Sequence, residues 1–439
     1  MRRWFPITAS AKIPLLLCLA LLSSMEASAA RILFTNVVIH GTAESAIAGK
    51  PSYVVVNDGV IESLGQVGAG LKIDQTVDLD GLHLFPGLIC LNTTLGLSEI
   101  SASRPTRDFS EVGEYTPDVQ SWIAVNPDSE LLPVARANGI AYIVPAPQGG
   151  VVAGQSGLIA LNGWTMEQMA IHKPVALHLY WPSMELNTTP KEKVRDQAKW
   201  KSLEDQAKER QKKLRELDSF FADARAYGTA AERGKTLKNP AWEAMLPFIK
   251  GELPVMIHAD EVRQIKTAVQ WATTNQVKFV IVGGRDAWML ASELAEKKIP
   301  VLYEHTFTQP VRASDPYDIH FKAPEILRQA GVPFAIGMGA SAFDAALIMN
   351  LPYQAAQSVG YGLPREEALK AITLYPATLI GLESRLGSID PGKEATFVVA
   401  DGDILDIRTN VKRMWITGKE VSLENRHRRL YEKYRNRPR

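Results

Sequence analysis

Cysteine is almost absent from this chain of 439 residues, which carries only Cys18 and Cys90. Cys18 lies in an apolar run that we expect to be removed, so Cys90 would remain alone and no disulfide could form within the chain. Charge of one sign is also lacking, since Lys plus Arg is 49 and Asp plus Glu is 48. No strong overall field therefore selects nucleic acid or an anionic membrane. We predict a small polar molecule as substrate or ligand, no nucleic acid, and leave a homo-oligomer open.

Long apolar runs are missing too, because the clearest one covers only residues 13–22 and is too short to span a bilayer. Basic residues precede it, and the small-residue pattern Ala27-Ser28-Ala29 follows it. This order is typical of a cleaved signal peptide. We expect residues 1–29 to be that peptide, the mature chain to be periplasmic or secreted, and no membrane span to lie in the mature chain.

Short apolar runs separated by turn residues occupy residues 31–82, with Asn57-Asp58-Gly59 as a clear hairpin signal. The same style returns over residues 387–421. Two such segments around a long middle predict a small composite β-sandwich domain formed by both ends of the mature chain.

The middle, residues 83–386, alternates short apolar runs with amphipathic stretches, which is the pattern of βα units and a parallel sheet. Eight such units predict an α/β fold, a (β/α)8 TIM-type barrel, with reactive groups at the C-terminal ends of the strands. The candidate strands are Phe85–Asn92, Ile140–Pro145, Ser156–Leu161, Val175–Trp181, Pro254–His258, Lys278–Gly283, Pro300–Glu304 and Pro333–Gly337.

Three further segments have a distinct composition. Residues 190–233 are rich in both signs of charge, with apolar residues at helical spacing, and predict a charged helical insertion. Residues 422–439 form a basic C-terminal tail, expected as a surface helix or a frayed end. Glycine-rich residues 148–157 predict a loop after the second strand, able to bring backbone N–H groups to an anion.

Four motifs together resemble the amidohydrolase superfamily, and most closely its imidazolonepropionase-like branch. The first, Phe85-Pro86-Gly87-Leu88-Ile89, resembles the start of that family's first barrel strand. The others are residues 254–259, 371–377 and 386–395. The resemblance covers nearly the whole mature chain and implies hydrolysis of a carbon–nitrogen bond other than a linear peptide bond.

The resemblance also implies one or two divalent ions that lower the pKa of bound water, held by imidazole and carboxylate at strand ends. Asn92 and Thr94 stand where the family has its first two His, and Gly284 and Gly339 lie where further ligands are needed. Only His258 matches a ligand position cleanly. We therefore predict degenerate metal-ligand motifs, no binuclear centre, and at most one divalent metal ion such as zinc on His258.

The candidate site residues are all at or just beyond predicted strand ends. The candidate catalytic residues are His258, His305 and Asp260. The candidate substrate-binding residues are Asn92, Thr94, His178, Arg285 and Glu304. Several have an ordinary structural interpretation: His258 as a hydrogen-bonded vestige, Asp260 as a helix cap, and Arg285 as a partner of Asp286. Two hypotheses stay open, a hydrolase with a reduced or rebuilt site and a catalytically inactive relative that binds a small molecule or a partner protein.

Overall fold

A computed structural model describes residues 31–43, 48–65 and 70–438, so the expected signal peptide lies outside the described residues. Within these ranges no helix has the length and apolarity needed to cross a bilayer. The strands are β1 (Arg31–Ile39), β2 (Pro51–Asn57), β3 (Val60–Leu64), β4 (Gln75–Asp78), β5 (His83–Pro86), β6 (Leu88–Thr93), β7 (Ile140–Pro145), β8 (Val152–Ala160), β9 (Ala170–Tyr180), β10 (Val255–Ala259), β11 (Phe279–Gly283), β12 (Val301–Tyr303), β13 (Phe334–Ile336), β14 (Phe397–Ala400), β15 (Val411–Ile416) and β16 (Lys419–Glu420). The α-helices are α1 (Leu131–Arg136), α2 (Met166–Met169), α3 (Leu203–Glu232), α4 (Pro240–Ile249), α5 (Val262–Thr274), α6 (Ala291–Glu296), α7 (Ile319–Ala330), α8 (Leu351–Val359), α9 (Arg365–Lys370), α10 (Leu374–Leu379) and α11 (Arg426–Arg435).

A small sheet joins strands from both ends of the described chain. Its order is β16-β15-β14-β5-β1-β2-β3, with β4 paired to β1, so all eight strands are connected in a single hydrogen-bonded sheet. The antiparallel pairing of β14 with β5 sets Phe397 beside Pro86 and Ala400 beside His83. Phe34 fixes the core of this sheet because its ring meets both Phe397 and Trp415 edge-on. In β2 burial alternates over Pro51–Val54, and Val54, Val55 and Val56 are then all buried.

The second sheet has the order β13-β12-β11-β10-β9-β8-β7-β6 and forms the barrel of a TIM-type α/β fold. Strands such as β7 and β11 are buried along their whole length, as expected where helices cover the outside and side chains fill the inside. The two ends of the sheet are bridged by the segment before α10. There Ile336 N–H donates to the Ala371 carbonyl, and Ile89 N–H donates to the Ile372 carbonyl.

Two details differ from the sequence prediction. The run Phe85–Asn92 is divided at Gly87, so that β5 belongs to the small sheet and only β6 enters the barrel. A Cβ at Gly87 would lie 2.5 Å from both Ala141 and Thr396, so the chain can pass between the two sheets here only without a side chain. The third predicted strand is β8, but it runs antiparallel to β7 and β9. The glycine-rich residues 154–157 therefore lie in a strand and not in a loop.

The charged insertion contains the 30-residue helix α3, which begins after the Ser202 cap and buries Leu217 and Phe221 against the barrel. Trp200 lies outside this helix, and its indole N–H donates to the Thr189 carbonyl. The basic tail contains α11, none of whose residues is buried.

Candidate active site

Glu304 lies just past β12, and its carboxylate is held from across the barrel by Asn92 at the end of β6. The Asn92 amide Nδ2 lies 2.8 Å from Oε1 and 3.0 Å from Oε2 of Glu304. Burial raises the pKa of Glu304 well above its usual range, the Asn92 hydrogen bond opposes this rise, and the charges of Asp260 and Asp344 add to it. The carboxyl therefore retains its proton to higher pH than an ordinary glutamate. A carboxyl with a raised pKa is a candidate for general acid–base catalysis.

Asn92 has the backbone φ of +52° that places it in the left-handed region, although it lies within a strand. The register of β6 against β7 shifts between Cys90 and Thr93 at the same point. Asn is among the few residues that adopt this conformation readily. Its side chain is almost fully buried, and its Oδ1 has no hydrogen-bond partner among the described residues. Asn92 therefore presents a free acceptor beside the Glu304 carboxyl.

A chain of hydrogen bonds runs from β8 through β9 to β10. Ser156 Oγ lies 2.9 Å from Nε2 of His178, and Nδ1 of His178 lies 3.0 Å from Nε2 of His258. Ser156 and His178 are fully buried. Tyr180, which is level with His258 in the ladder between β9 and β10, stacks on the His258 ring with centroids 4.0 Å apart. These contacts fix the orientation of the His258 imidazole.

Burial keeps the imidazoles of His178 and His258 neutral. It lowers the pKa of His258 to about 3, although the charge of Asp260 acts in the opposite direction. It also lowers the pKa of His178 well below the usual range, and His258 adds to that effect. At neutral pH each ring therefore has one N–H donor and one acceptor nitrogen.

Asp260 and His305 link the ends of β10 and β12 across β11. His305 Nε2 lies 2.7 Å from Asp260 Oδ1, and that oxygen also accepts the Arg285 backbone N–H. Burial would raise the pKa of Asp260, but the hydrogen bond and charge of His305, with Arg285, lower it overall. Gly283 is required beneath this pair, because a Cβ there would lie 2.4 Å from Asp260 Oδ1. His258 lies two residues before Asp260, and Glu304 lies directly before His305.

Arg285 contributes less to the mouth than the sequence predicts. Its Nε lies 3.5 Å from Asp286 Oδ1, and Asp286 is buried and also bound by Arg312. Asp286 Oδ2 further accepts the Val262 N–H at the start of α5. The Arg285 guanidinium is thus part of an ionic cluster beside the mouth. Arg285 is therefore a secondary candidate for holding a substrate carboxylate.

Thr94 is placed under the loop that follows β13. Its hydroxyl donates to the Ser341 carbonyl at 2.8 Å, and the Gln148 amide donates to the neighbouring Ala340 carbonyl. The Ser341 N–H in turn donates to Asp344. These hydrogen bonds hold the loop after β13 at the barrel mouth. Thr94 is one of the residues that position this loop.

The structure brings seven of the eight predicted site residues to one barrel mouth or its rim, with Arg285 turned toward Asp286. His258 and Glu304 belong to strands separated by β11, so their backbones lie about 10 Å apart. Their side chains are connected electrostatically, because the charge of Glu304 contributes to raising the pKa of Tyr180, the residue stacked on His258. The mouth thus combines a buried carboxyl with a neutral imidazole on neighbouring parts of the barrel.

The donor set does not fit the metal centre that the superfamily resemblance implies. The Asn92 amide and the Thr94 hydroxyl are weak ligands and are engaged with protein atoms. Both nitrogens of His178 are engaged, which leaves His258 without a second free imidazole. Over residues 31–43, 48–65 and 70–438 no group of three or more His, Cys, Asp or Glu side chains is arranged to hold a metal ion. A catalytic zinc site normally needs three protein ligands.

Comparison with known proteins supports the fold and the family. A model of the Amidohydrolase family matches residues 358–422. The solved structure of an amidohydrolase from Thermotoga maritima MSB8 superposes with a TM-score of 0.74 at 26% identity, over 90% of this chain and 100% of that one. In both sequence and fold the chain is similar to members of the amidohydrolase superfamily. The family match, which covers α10 and the return to the small sheet, also fits the imidazolonepropionase-like branch.

Curated relatives in the superfamily match over shorter stretches. Amidohydrolase tasK of Hapsidospora irregularis is 27% identical over 191 residues, which is 40% of this chain and 18% of that protein. A 5-methylthioadenosine/S-adenosylhomocysteine deaminase of Teredinibacter turnerae is 28% identical over 117 residues, 22% of this chain and 26% of the deaminase. The chain thus matches about a quarter or less of the length of either relative. A zinc-bound adenosine deaminase structure from Xanthomonas campestris, at 17% identity and a TM-score of 0.53, shares the fold.

Sequence reasoning missed two residues of the site. Ser156, where the predicted glycine-rich loop and the predicted third strand overlap, is not among the candidate site residues, although it is the buried end of the hydrogen-bond chain. Tyr180 was passed over, although it follows His178 by two residues in a strand and must therefore point to the same face. That alternation was a usable signal for Tyr180, whereas nothing in the sequence pairs Ser156 with His178.

Proposed function

We propose that this chain hydrolyses a carbon–nitrogen bond, other than a linear peptide bond, in a small polar molecule, and that Glu304 and His258 carry the chemistry in a site with reduced metal binding. The observation that carries the proposal is the Glu304 carboxyl, partly buried at a strand end with a raised pKa. Similarity to the superfamily supports the reaction class. The strand-end location supports the site, since TIM-type barrels do their chemistry there.

Glu304 acts as the base and then as the acid. Its carboxylate takes a proton from a water molecule as the water oxygen forms a bond to the substrate carbon. The same carboxyl then returns that proton to the nitrogen, and the carbon–nitrogen bond breaks. The proton is conserved, water is consumed, and an acid and an amine are the products. A raised pKa supports this double role because it makes the carboxylate a stronger base than an ordinary glutamate.

His258 acts as a neutral hydrogen-bond donor to the substrate oxygen. When Ser156 O–H donates to His178 Nε2, His178 Nδ1–H donates to His258 Nε2, and His258 Nδ1 carries the remaining proton. The low pKa of His258 supports this role, since a neutral imidazole can polarise a carbonyl through a hydrogen bond while carrying no charge itself. A donor fixed where negative charge develops contributes about 10²- to 10³-fold to the rate.

Asn92 supplies recognition in this scheme. Its buried Oδ1 has no partner within residues 31–43, 48–65 and 70–438, and it can accept an N–H of the substrate next to the bond that breaks. A substrate without that N–H would leave a buried acceptor unpaired, which costs about 1–3 kcal/mol. Amides and amidines with an N–H therefore fit better than esters.

A catalytically inactive relative that binds a small molecule is the second candidate. It is favoured by the loop after β13, whose Ala340 and Ser341 carbonyls are bonded directly to Gln148 and Thr94. Such a tied cover suits retention of a ligand as well as exclusion of water during a reaction.

Release of amine or ring opening should be measured with the purified protein on a panel of lactams, cyclic ureides and amidines. We expect turnover of one class, and loss of that turnover in Glu304→Gln, which keeps the shape but cannot exchange a proton. Glu252→Gln, at an exposed carboxyl in a turn after α4, is the matched control. Ligand binding without turnover in the unmodified protein would establish the binding alternative and refute the hydrolase.

Export is a separate part of the proposal. It is supported by the basic residues, apolar run and small-residue pattern of residues 1–29. N-terminal sequencing of the protein from a periplasmic fraction should give a start near Ala30, and an intact Met1 in the membrane fraction would refute it.

A further inference from the structure

The C-terminal helix α11 is a surface element whose charge contrasts with the balanced charge of the whole chain. Its ten residues include the cations Arg426, Arg428, Arg429, Lys433 and Arg435, against one acid, Glu432. A helix of ten residues is marginal in water by itself. It is anchored by the buried Asn425, which accepts the Arg428 N–H, and by the ion pair of Arg429 with Glu130 near α1.

The spacing of α11 gives it two opposite faces. Arg429 and Glu432 are three residues apart and share the face that carries the contact to Glu130. His427, Leu430 and Tyr434 follow one another at intervals of three and four residues, so they form a stripe on another face. Leu430 is 38% exposed and Tyr434 is 59% exposed. Both side chains of the stripe are therefore in part open to solvent.

Cations border this stripe on both sides. Arg426 and Lys433 are seven residues apart and flank it on one side, while Arg428 and Arg435 have the same spacing and flank it on the other. Arg428 also reaches the Val411 carbonyl, and Arg435 pairs with Glu432, but Arg426 and Lys433 have no acidic partner among the described ion pairs. An exposed apolar and aromatic stripe between rows of cations is the arrangement of helices that lie in a membrane interface.

We propose that α11 docks this protein on the surface of an anionic phospholipid bilayer. The Leu430 and Tyr434 side chains would enter the boundary between headgroups and acyl chains, where tyrosine is favoured. The flanking cations would pair with lipid phosphates. A nucleic acid would bind the cations alone and would leave the apolar stripe exposed to water. A lipid surface would bind both the cations and the stripe.

Co-sedimentation of the purified protein with vesicles tests this docking. Binding should occur to vesicles of mixed phosphatidylglycerol and phosphatidylcholine at low salt, and should weaken in high salt and on pure phosphatidylcholine. Combining Arg426→Gln, Lys433→Gln and Arg435→Gln should weaken binding roughly a hundredfold, since each cation contributes about fivefold at an anionic surface. Leu430→Ser with Tyr434→Ser should weaken binding while leaving the charge unchanged.

The matched control removes three cations from another exposed helix, with Lys208→Gln, Lys212→Gln and Lys213→Gln in α3. This variant should bind vesicles nearly as the unmodified protein does. Circular dichroism and the thermal midpoint should be unchanged in all variants, because no residue of α11 is buried. Equal losses in both triple variants, no vesicle binding, or binding to duplex DNA without vesicle binding would each overturn the proposal.

Discussion

Two pairs of hydrogen-bonded histidines lie in different sheets of this molecule. His40 and His83 meet at 2.8 Å in the small sheet, and His178 and His258 meet at 3.0 Å in the barrel. Burial lowers the pKa in both pairs, of His40 to about 4 and of His258 to about 3. Imidazole pairing and a depressed pKa are therefore not sufficient to mark a reactive site.

The surroundings separate the two pairs. His40 stacks on Phe85 within the small sheet, and after burial its pKa is lowered by His83 and then by Arg365, itself paired with Asp403. His258 lies at the C-terminal end of a barrel strand, at the same mouth as the ionisable Glu304. The barrel pair therefore lies beside a carboxyl that can exchange a proton, whereas the small-sheet pair packs against an aromatic ring.

The largest expected effect is on catalysis and tests this contrast directly. His258→Gln should lower kcat by about 10²- to 10³-fold, because the donor to the developing negative charge is displaced. His83→Gln should leave kcat within about twofold. Steady-state kinetics on the substrate found by the panel decides it. Similar losses in both variants would show that the two pairs act alike and would remove the argument for the barrel site.

Backbone geometry gives the next largest effect. Gly283→Ala should destabilise the fold by about 2–4 kcal/mol, because φ is +87° and the new Cβ would meet Asp260 at 2.4 Å. Gly81→Ala in the small sheet, with φ of +76° and no atom within 4 Å, should cost only about 1 kcal/mol. Urea unfolding measures both. Equal costs would mean that the mouth is less tightly built than the Asp260 contact indicates.

A smaller effect concerns the pH dependence of stability at Glu304. The folded pKa is raised, so this carboxyl contributes stability below the unfolded pKa that is lost as pH rises toward the folded pKa. Glu304→Gln mimics the protonated form. Between the unfolded and the folded pKa, its free energy of unfolding should rise by about 1.4 kcal/mol per pH unit relative to the unmodified protein. Unfolding curves from pH 5 to 8 should show the gain, and a constant difference would contradict the raised pKa.

The last effect is confined to acid and separates the two pairs there. A folded histidine with a lowered pKa stays neutral while the unfolded one gains a proton, so stability is present above pH 6.5 and falls as pH decreases. His178→Gln and His40→Gln should each remove about 1.4 kcal/mol per pH unit of this acid destabilisation below pH 6.5. The relief from His40→Gln should level off near pH 4, while that from His178→Gln should continue. Unfolding at matched pH values distinguishes the curves.

The amino-acid sequence by itself determined the family resemblance, the barrel and the residue types at its mouth. Periodicity revealed all eight barrel strands because buried strands are continuous apolar runs bounded by turns, and β7 agrees with its predicted limits. Motifs such as residues 386–395 carried the resemblance because glycines there are fixed by backbone geometry. His258, Glu304 and Asn92 could be singled out because strand ends are visible in a sequence.

Only the tertiary structure decided which of those residues act together. The direction of β8 is set by its pairing partners, so no local pattern could show that Ser156 would meet His178. Asn92 and Glu304 are 212 residues apart and meet only because the barrel curls its first strand toward its seventh. The raised pKa of Glu304 follows from burial and from the charges of Asp260 and Asp344, which depend on the packing of the whole mouth. Residue chemistry is local, but proton affinity is a property of the folded surroundings.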